Sequence, residues 1–374
     1  MTNRKLNIAV IFGGRSGEHE VSLMSARSVL AALDPSKYNV TQIGITHEGK
    51  WLTGTNVIGA FESGNINGLD RVVVPPEPSR SALFGLRPTS TGEKYEMLTT
   101  IDVYFPALHG TFGEDGTIQG LFEMADAAYV GAGVLGSSVG MDKGVFKDVM
   151  RSNNIPLVES IIVLRSEIGK DINAVIERAE QVGAYPIFTK PANLGSSVGV
   201  TRCRTRSDLG EGLMEAALYD RRVLVERGIA NPREIEVSIL GNDDPQASVP
   251  GEVLPSREFY SYESKYVDGT SGLVIPAPLP ADTTARIQEL AIRAFKAIDG
   301  AGMARVDFFI DRDSGEVLLN EVNTIPGFTG ISMYPKLWEA SGMSYPQLVD
   351  RLVELALERK ADRDRTIHTF RRQV

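Results

Sequence analysis

The sequence predicts a mixed α/β protein of several domains. Its 374 residues exceed the usual size of a single hydrophobic core, and short apolar runs alternate with segments of helical periodicity. The first run, 8–12, ends at a glycine pair and is followed by a helical pattern over 21–33. Strand, glycine turn and helix in this order are typical of an open, mostly parallel sheet. Further strands are predicted within the same sheet at 38–46 and 101–105.

The pattern changes near Met141, which divides the chain into three predicted domains. Residues 141–233 combine helix and strand patterns around a Gly-Ser loop, and longer strands and helices follow from residue 234. We therefore predict domains over 1–140, 141–233 and 234–374. Residues 55–97, rich in Gly, Ser and Pro, are expected to form an irregular insertion or surface hairpins. The charged end from residue 361 is expected to be frayed.

Composition excludes several classes of protein. The net charge of −9 has the wrong sign for a protein that grips nucleic acid along an extended face. The single cysteine, Cys203, excludes an internal disulfide and a cysteine-based zinc or iron–sulfur site. The chain lacks a signal-peptide pattern, and no apolar run approaches the ~20 residues that span a bilayer. We therefore expect a cytoplasmic protein that binds neither nucleic acid nor membranes.

Two glycine-rich loops follow predicted strands of the first domain. The loop 13–18 opens a helix, a geometry that often binds phosphate, although it is not a GxGxxG fingerprint. Its Glu18 either caps the helix or holds a cation. The loop 108–117 places His109 and two acids where open sheets bind ligands, or His109 is a structural residue. His47 has no partner in its local sequence, and we expect it at the surface.

A third loop, 190–199, combines Lys190 with two glycines and the serines Ser196 and Ser197. Successive N–H and hydroxyl donors beside a lysine favour a phosphate cover. The loop lacks the Walker A pattern, and the chain lacks the motifs of protein kinases. A flexible hairpin is the alternative.

The strongest group of polar residues lies near the C-terminus, on two predicted strands. Strand alternation places Arg305 and Asp307 on the same face of the first strand, and Glu321 and Asn323 on the same face of the second. If the turn between these strands makes a hairpin in register, three oxygen ligands and a guanidinium converge. Such a ligand set suits Mg²⁺ or Mn²⁺ with nucleotide phosphates, whereas solvated edge charges are the alternative. The turn after it, with Gly327, offers backbone N–H groups for an oxyanion hole beside Arg305.

These motifs occur together in a known family. The segments FGGRSGEHEVS, ALHGTFGEDGTIQG, KPANLGSSVGV, YSYESKY, ARVDFFI and NEVNTIPGFTGIS fall in family order between about residues 8 and 360. The chain thereby resembles the ATP-grasp superfamily, and more narrowly the D-alanine:D-alanine ligases. The resemblance implies a three-domain ATP-grasp fold with an N-terminal Rossmann-like open sheet, and a homodimer. It also implies a reaction in which ATP activates one D-alanine as an acyl phosphate, which a second D-alanine attacks to give the dipeptide for peptidoglycan precursors.

The resemblance assigns roles to individual residues. ATP contacts are implied for Lys143, Lys190, Ser196, Ser197, Glu226, Glu234 and Lys265, and two Mg²⁺ or Mn²⁺ ions are implied on Asp307, Glu321 and Asn323. Catalytic roles are implied for Glu18, Ser196, Tyr266, Arg305 and Gly327, and substrate binding for Glu18, His109 and Ser332. Lys265 and Tyr266 stand in a segment, 254–280, that is expected to be a lid or a plain surface loop.

Alternatives remain open at this stage. A related ATP-grasp ligase could use D-lactate or D-serine as second substrate, although the lid tyrosine Tyr266 favours the dipeptide. A non-catalytic ATP-binding protein on the same fold is a further alternative. The presence of Arg305 and the three predicted metal ligands argues against it, because a protein that only binds ATP does not need an oxyanion stabiliser. An oxidoreductase would need a dinucleotide at the first glycine loop.

Overall fold

The computed structural model describes residues 4–78, 82–195, 198–254 and 272–367. The predictions for Ser196, Ser197, Lys265 and Tyr266 therefore lie outside the described residues, as does most of the expected lid.

The first sheet combines parallel and antiparallel strands. Its strands are β1 (Leu6–Gly13), β2 (Tyr38–Ile45), β3 (Trp51–Thr53), β4 (Asp70–Val73), β5 (Ala82–Thr89), β6 (Gly92–Thr100) and β7 (Val103–Pro106). They lie in the order β6-β5-β4-β3-β2-β1-β7. Only β2, β1 and β7 run parallel, while β2 to β6 are joined antiparallel. The expectation of a mostly parallel sheet was wrong here. The connections 46–50 and 90–91 are too short for a crossover, and β3 and β4 pair antiparallel although the connection between them holds α2, Val57–Glu62.

Four helices accompany this sheet: α1 (His19–Ala32), α2 (Val57–Glu62), α3 (Thr117–Met124) and α4 (Val134–Met141). Helix α1 buries Val21, Ala26 and Val29. It begins at His19, two residues earlier than the pattern over 21–33 predicted, so that Glu18 stands at its N-cap position.

The second sheet is antiparallel throughout. Its strands β8 (Ser160–Leu164), β9 (Ile187–Pro191), β10 (Thr201–Cys203) and β11 (Arg222–Arg227) lie in the order β10-β9-β11-β8. Its helices are α5 (Lys143–Ser152), α6 (Arg165–Lys170), α7 (Ile172–Ala179) and α8 (Arg206–Tyr219), followed after α7 by a 3₁₀ turn, Glu180–Val182. Ile176, Leu213 and Val223 belong to one core between the helices and the sheet.

The third sheet is also antiparallel. It contains β12 (Arg233–Gly241), β13 (Gln246–Ala247), β14 (Gly251–Leu254), β15 (Gly272–Val274), β16 (Gly302–Ile310) and β17 (Val317–Asn323). The order is β15-β14-β12-β16-β17, with β13 on β12. Strand β15 falls inside the segment expected to be a lid, so part of that segment is sheet. The remaining helices are α9 (Ala281–Ala297), α10 (Met333–Ala340) and α11 (Tyr345–Arg363).

The last helix packs against the first sheet. Leu348 and Leu352 of α11 share one buried cluster with Ile8 and Val10 of β1. The helix continues to Arg363, which donates hydrogen bonds to Asp126 Oδ1 and Ala127 O, so residues 361–363 are helical rather than frayed. Among the described helices, none combines the length and the apolar character needed to cross a membrane.

Candidate active site

The three sheets surround a cavity of about 640 Å³. Eleven residues singled out from the sequence line it: Glu18, His109, Lys143, Lys190, Glu226, Glu234, Arg305, Asp307, Glu321, Asn323 and Gly327. Ser332 is not among the lining residues; it stands at the N-cap position of α10, where its Oγ lies 2.7 Å from Thr329 Oγ1.

A tight turn places Glu18 at the wall of this cavity. Gly13 has a φ of +84°, and a Cβ there would lie 2.3 Å from Ile45 O, so only glycine fits between β1 and α1. Two further glycines approach the Glu18 carboxylate, since a Cβ on Gly110 or Gly195 would lie 2.6 or 2.9 Å from Oε2. Glu18 thus stands between a loop of the first sheet and a loop of the second.

His109 is held in one orientation beside Glu18. Its Nδ1 lies 3.1 Å from Ile325 O, a carbonyl that can only accept, so Nδ1 carries the proton. Its Nε2 lies 2.8 Å from Ser25 Oγ and accepts the hydroxyl proton. Burial lowers the pKa of His109 despite the nearby Glu18 carboxylate, so the ring is neutral at pH 7 and lines the cavity as a fixed polar surface.

Glu114 is a partly buried acid in the same loop. Its Oε2 accepts a hydrogen bond from Gly110 N at 2.7 Å. Burial, reinforced by the negative charge of Glu18, raises the pKa of Glu114 to about 8. Glu114 is therefore protonated at neutral pH, which removes a second negative charge from the neighbourhood of Glu18.

Two lysines and a glutamate form an ion cluster where the second sheet borders the cavity. Lys190 on β9 and Lys147 on α5 each place Nζ 2.5 Å from an oxygen of Glu226 on β11. Burial raises the pKa of Glu226, but the two lysines outweigh burial and lower it to about 2. The carboxylate also raises the pKa of Lys190 against the effect of burial, so Lys190 presents a fixed positive charge to the cavity.

Lys143 begins α5 one turn before Lys147. Its Nζ donates to Leu194 O at 2.8 Å and lies 4.0 Å from Glu321 Oε2. Burial lowers its pKa, an effect that the Glu321 carboxylate opposes. Lys143 thus links the loop of the second sheet to the acidic row of the third.

The acidic row runs across three neighbouring strands. Asp307 on β16 is in register with Glu236 on β12 and with Glu321 on β17. Like charges directly opposite one another destabilise a sheet unless a cation lies between them. Arg305 supplies part of that charge through Nη2 to Asp307 Oδ2 at 2.7 Å and Nε to Glu236 Oε2 at 2.9 Å.

Asn323, opposite Arg305 on β17, completes this row. Its Nδ2 donates to Asp307 Oδ2 at 3.0 Å. Together Asp307, Glu321 and Asn323 present oxygen donors to one cavity, and oxygen-only sets suit Mg²⁺ or Mn²⁺. The row has more carboxylates than Arg305 alone can neutralise, and divalent cations on Asp307, Glu321 and Asn323 would balance the remaining charge.

Glu234 and Gly327 occupy the margins of the cavity. Glu234 lies on β12, in register with Phe309 of β16, and the segment from Thr324 to Gly327 lines the cavity after β17. Lysines and an arginine thus stand opposite carboxylates around one space, an arrangement that suits a phosphorylated ligand and divalent cations.

Sequence reasoning missed Lys147 and Glu236 and did not assign Glu114 a role. Lys147 follows Lys143 by one helical turn and so lies on the same face of the helix, which is only a weak indication that both lysines line the site. Glu236 alternates with Glu234 on its strand and so shares its face. Glu114 stands in the glycine-rich loop of His109, and its position there does not by itself indicate what the carboxyl group does.

Comparisons with known proteins cover nearly the whole chain. Residues 7–132 match the family model described as D-ala D-ala ligase N-terminus, and residues 149–354 match D-ala D-ala ligase C-terminus. The chain is 50% identical over 361 residues to a D-alanine–D-alanine ligase of Heliobacterium modesticaldum, covering 96% of this chain and 97% of that protein. It is 47% identical to one of Natranaerobius thermophilus, covering 98% and 99%.

Solved structures show the same similarity. The D-alanine-D-alanine ligase from Coxiella burnetii aligns with a TM-score of 0.80 and 35% identity over 96% of each chain. The VanG D-Ala:D-Ser ligase from Enterococcus faecalis aligns with a TM-score of 0.83 and 35% identity, covering 94% of this chain and all of that one. The three-domain ATP-grasp fold predicted from the sequence is confirmed.

Proposed function

Because this chain belongs to the D-alanine–D-alanine ligase family, we propose that it joins two D-alanine molecules into D-alanyl-D-alanine, with ATP as the phosphoryl donor, for peptidoglycan precursors. The observation that carries the proposal is the cavity that Lys190, a lysine suited to binding phosphate, shares with the carboxylates of Asp307 and Glu321. A dipeptide ligase needs positive and negative groups in one cavity. The positive groups bind the polyphosphate of ATP, and the carboxylates bind its metal ions and the ammonium group of an amino acid.

The first step is phosphoryl transfer. A carboxylate oxygen of the first D-alanine attacks the γ-phosphorus of ATP, the bond to the β-phosphate oxygen breaks, and an acyl phosphate and ADP result. Lys143 and Lys190 bind the phosphates, and Glu234 contacts the ribose. Glu226 borders the adenine site and holds Lys190 in place through their ion pair. Asp307, Glu321 and Asn323 would hold Mg²⁺ or Mn²⁺, which when bound neutralises phosphate charge.

The second step forms the peptide bond. The amine of the second D-alanine attacks the acyl carbon, its nitrogen loses a proton, and phosphate leaves from the tetrahedral intermediate. Arg305 and the Gly327 N–H stabilise the oxyanion of that intermediate. Glu18 anchors the ammonium of the first D-alanine, and the neutral His109 borders the substrate. In this proposal Ser332 binds the second carboxylate, although it is not among the lining residues.

In this proposal the lid, 254–280, closes over the cavity and excludes water from the acyl phosphate. Lys265 and Tyr266 stand in this lid, and Ser196 and Ser197 stand in the loop 190–199. On the grounds of sequence alone, the serines and Lys265 contact ATP, and Ser196 and Tyr266 contact Glu18. Tyr266 also favours D-alanine over D-lactate as the second substrate.

The direct test is phosphate release from ATP and Mg²⁺ with D-alanine, L-alanine, D-alanine plus D-lactate, or D-alanine plus D-serine, with products identified by mass. We expect release that depends on D-alanine, with the dipeptide as product even in the mixtures. D-serine is the second candidate, because the aligned VanG protein is a D-Ala:D-Ser ligase. A mixed product in the serine reaction would favour it, and no release with any acceptor would refute both.

A matched pair of variants tests the metal assignment. Glu321→Gln removes a cavity carboxylate, and we expect acyl phosphate formation to fall by about two orders of magnitude or more with the fold retained. Glu316→Gln makes the same change at an exposed position before β17 and should leave turnover unchanged. Turnover of Glu321→Gln at the level of Glu316→Gln would contradict the assignment.

We further propose a cytoplasmic homodimer. The cytoplasm supplies ATP and suits a chain with a single cysteine, and the dimer follows from the family resemblance. Sedimentation velocity of the purified chain tests the dimer, which a single monomeric species would exclude.

A further inference from the structure

Outside the cavity, a second group of metal-ligating side chains lies on the first sheet side. Within the described part of the chain, His19, Glu20 and His47 place one ligand atom each so that all lie within 4.8 Å of one another. Glu20 Oε1 is 3.5 Å from His47 Nε2, and the rings of His19 and His47 stack with centroids 3.8 Å apart. His47, which the sequence placed alone at the surface, therefore has two partners.

His19 is prepared as a ligand. It is only 5% exposed, and its ring packs against Phe61 with an interplanar angle of 12°. Its Nδ1 lies 2.8 Å from the carbonyl of Gly14, so Nδ1 donates and Nε2 carries the lone pair. A backbone carbonyl that fixes the second nitrogen in this way is the usual support of a metal-bound histidine.

The other two ligands are free to adjust. Their side chains are 60% exposed for His47 and 67% exposed for Glu20. Ligand atoms around tetrahedral zinc lie about 3.3 Å apart, closer than the 4.8 Å within which the three atoms lie here. The exposure of His47 and Glu20 leaves both side chains room to rotate towards His19. The negative Glu20 also offsets the positive end of the α1 dipole, which would otherwise disfavour a cation here.

We propose that His19, Glu20 and His47 form a binding site for one divalent transition-metal ion of the zinc class, with solvent completing its coordination. Two imidazoles and a carboxylate suit zinc and its neighbours, whereas Mg²⁺ prefers oxygen ligands. The site is therefore chemically distinct from the oxygen-only row at Asp307, and it does not rest on the proposed ligase function.

The test is calorimetric titration of the tag-free protein with ZnCl₂ in excess Mg²⁺, which occupies oxygen-only sites. We expect the wild-type chain to bind one more Zn²⁺ than His47→Ala or Glu20→Gln does. Both variants change exposed side chains, so the fold is retained, as circular dichroism should verify. Glu48→Gln removes an exposed acid beside His47 and should bind Zn²⁺ like the wild type.

Two results would overturn the site. One is a wild-type chain that takes up no Zn²⁺ under these conditions. The other is a His47→Ala variant that binds the same number of ions with the same affinity as the wild type, since the stacked ring would then be only a packing contact. The readout is binding, so it stays independent of turnover.

Discussion

The ion cluster around Glu226 allows a quantitative test. Glu226→Gln removes the charge that pairs with Lys147 and Lys190, each of which places Nζ 2.5 Å from the carboxylate. The variant leaves two ammonium groups in a site where the glutamate side chain is only 3% exposed. We expect a loss of both stability and ATP binding.

The magnitude follows from the pKa of Glu226. The lysines lower it from 4.5 to about 2 against the effect of burial, a difference that corresponds to about 3 kcal/mol of stability at pH 7. Breaking a buried ion pair by removing one partner costs a similar ~3–5 kcal/mol. Because the folded pKa lies below the unfolded one, this stability is present above pH 4.5 and is lost as the pH falls towards 2.

The assay combines urea unfolding, followed by tryptophan fluorescence, with the KM for ATP. Glu226→Gln should lose about 3 kcal/mol at pH 7, with the difference from wild type shrinking towards pH 3. Its KM for ATP should rise about ten-fold or more, because Lys190 loses its anchor. Glu252→Gln is the matched control: Glu252 is buried and paired with Arg233 at 2.6 Å, outside the cavity lining.

The control should lose stability and keep its KM for ATP. If Glu226→Gln unfolded at the wild-type urea midpoint at pH 7, the reasoning about the buried pair would be refuted. If both variants raised the KM equally, Glu226 would have no special part in holding Lys190.

Three further outcomes are expected. Glu114→Gln should stabilise the protein increasingly as the pH rises from 5 to 8, because burial raises the pKa of Glu114 to about 8 and only the unfolded wild-type chain gains free energy by releasing this proton in that range; unfolding midpoints that shift in parallel across this range would contradict that. Gly195→Ala should raise the KM for D-alanine, because its Cβ would lie 2.9 Å from Glu18 Oε2, and unchanged saturation kinetics would show that the carboxylate is not fixed there. Ser25→Ala should cost about 1–3 kcal/mol in urea unfolding by leaving His109 Nε2 unpaired in a buried site; wild-type stability would mean that another donor replaces the hydroxyl.

The sequence predicted the third sheet best, for a physical reason. Alternation and a turn together specify a hairpin, and the structure pairs Arg305 with Asn323 and Asp307 with Glu321 in register. The apolar residues of α9 follow a pattern of the same local kind, since Ile287, Leu290 and Phe295 recur at helical spacing and all three are buried. Local patterns suffice wherever the partner lies on the same element or the next one.

What the sequence could not supply depends on distant contacts. Lys147 reads as an ordinary helix residue until β11 brings Glu226 against it, 79 positions later in the chain. The antiparallel half of the first sheet was anticipated only in part. Residues 55–97 were expected to form an irregular insertion or surface hairpins, and β5 and β6 do form a hairpin, whereas the three-residue strand Trp51–Thr53 carries little period of its own. Tertiary context decides such strands more than propensity does.

The contact between the last helix and the first sheet has a consequence for biosynthesis. Val349 and Leu352 complete a core begun by Ile8 and Val10, so the ribosome must add more than 300 residues before the N-terminal core can close. At about 5–20 residues per second, the nascent first sheet waits roughly 15–70 s with an apolar face uncovered. The second sheet with its own helices closes much earlier, which makes the order of folding differ from the order of synthesis.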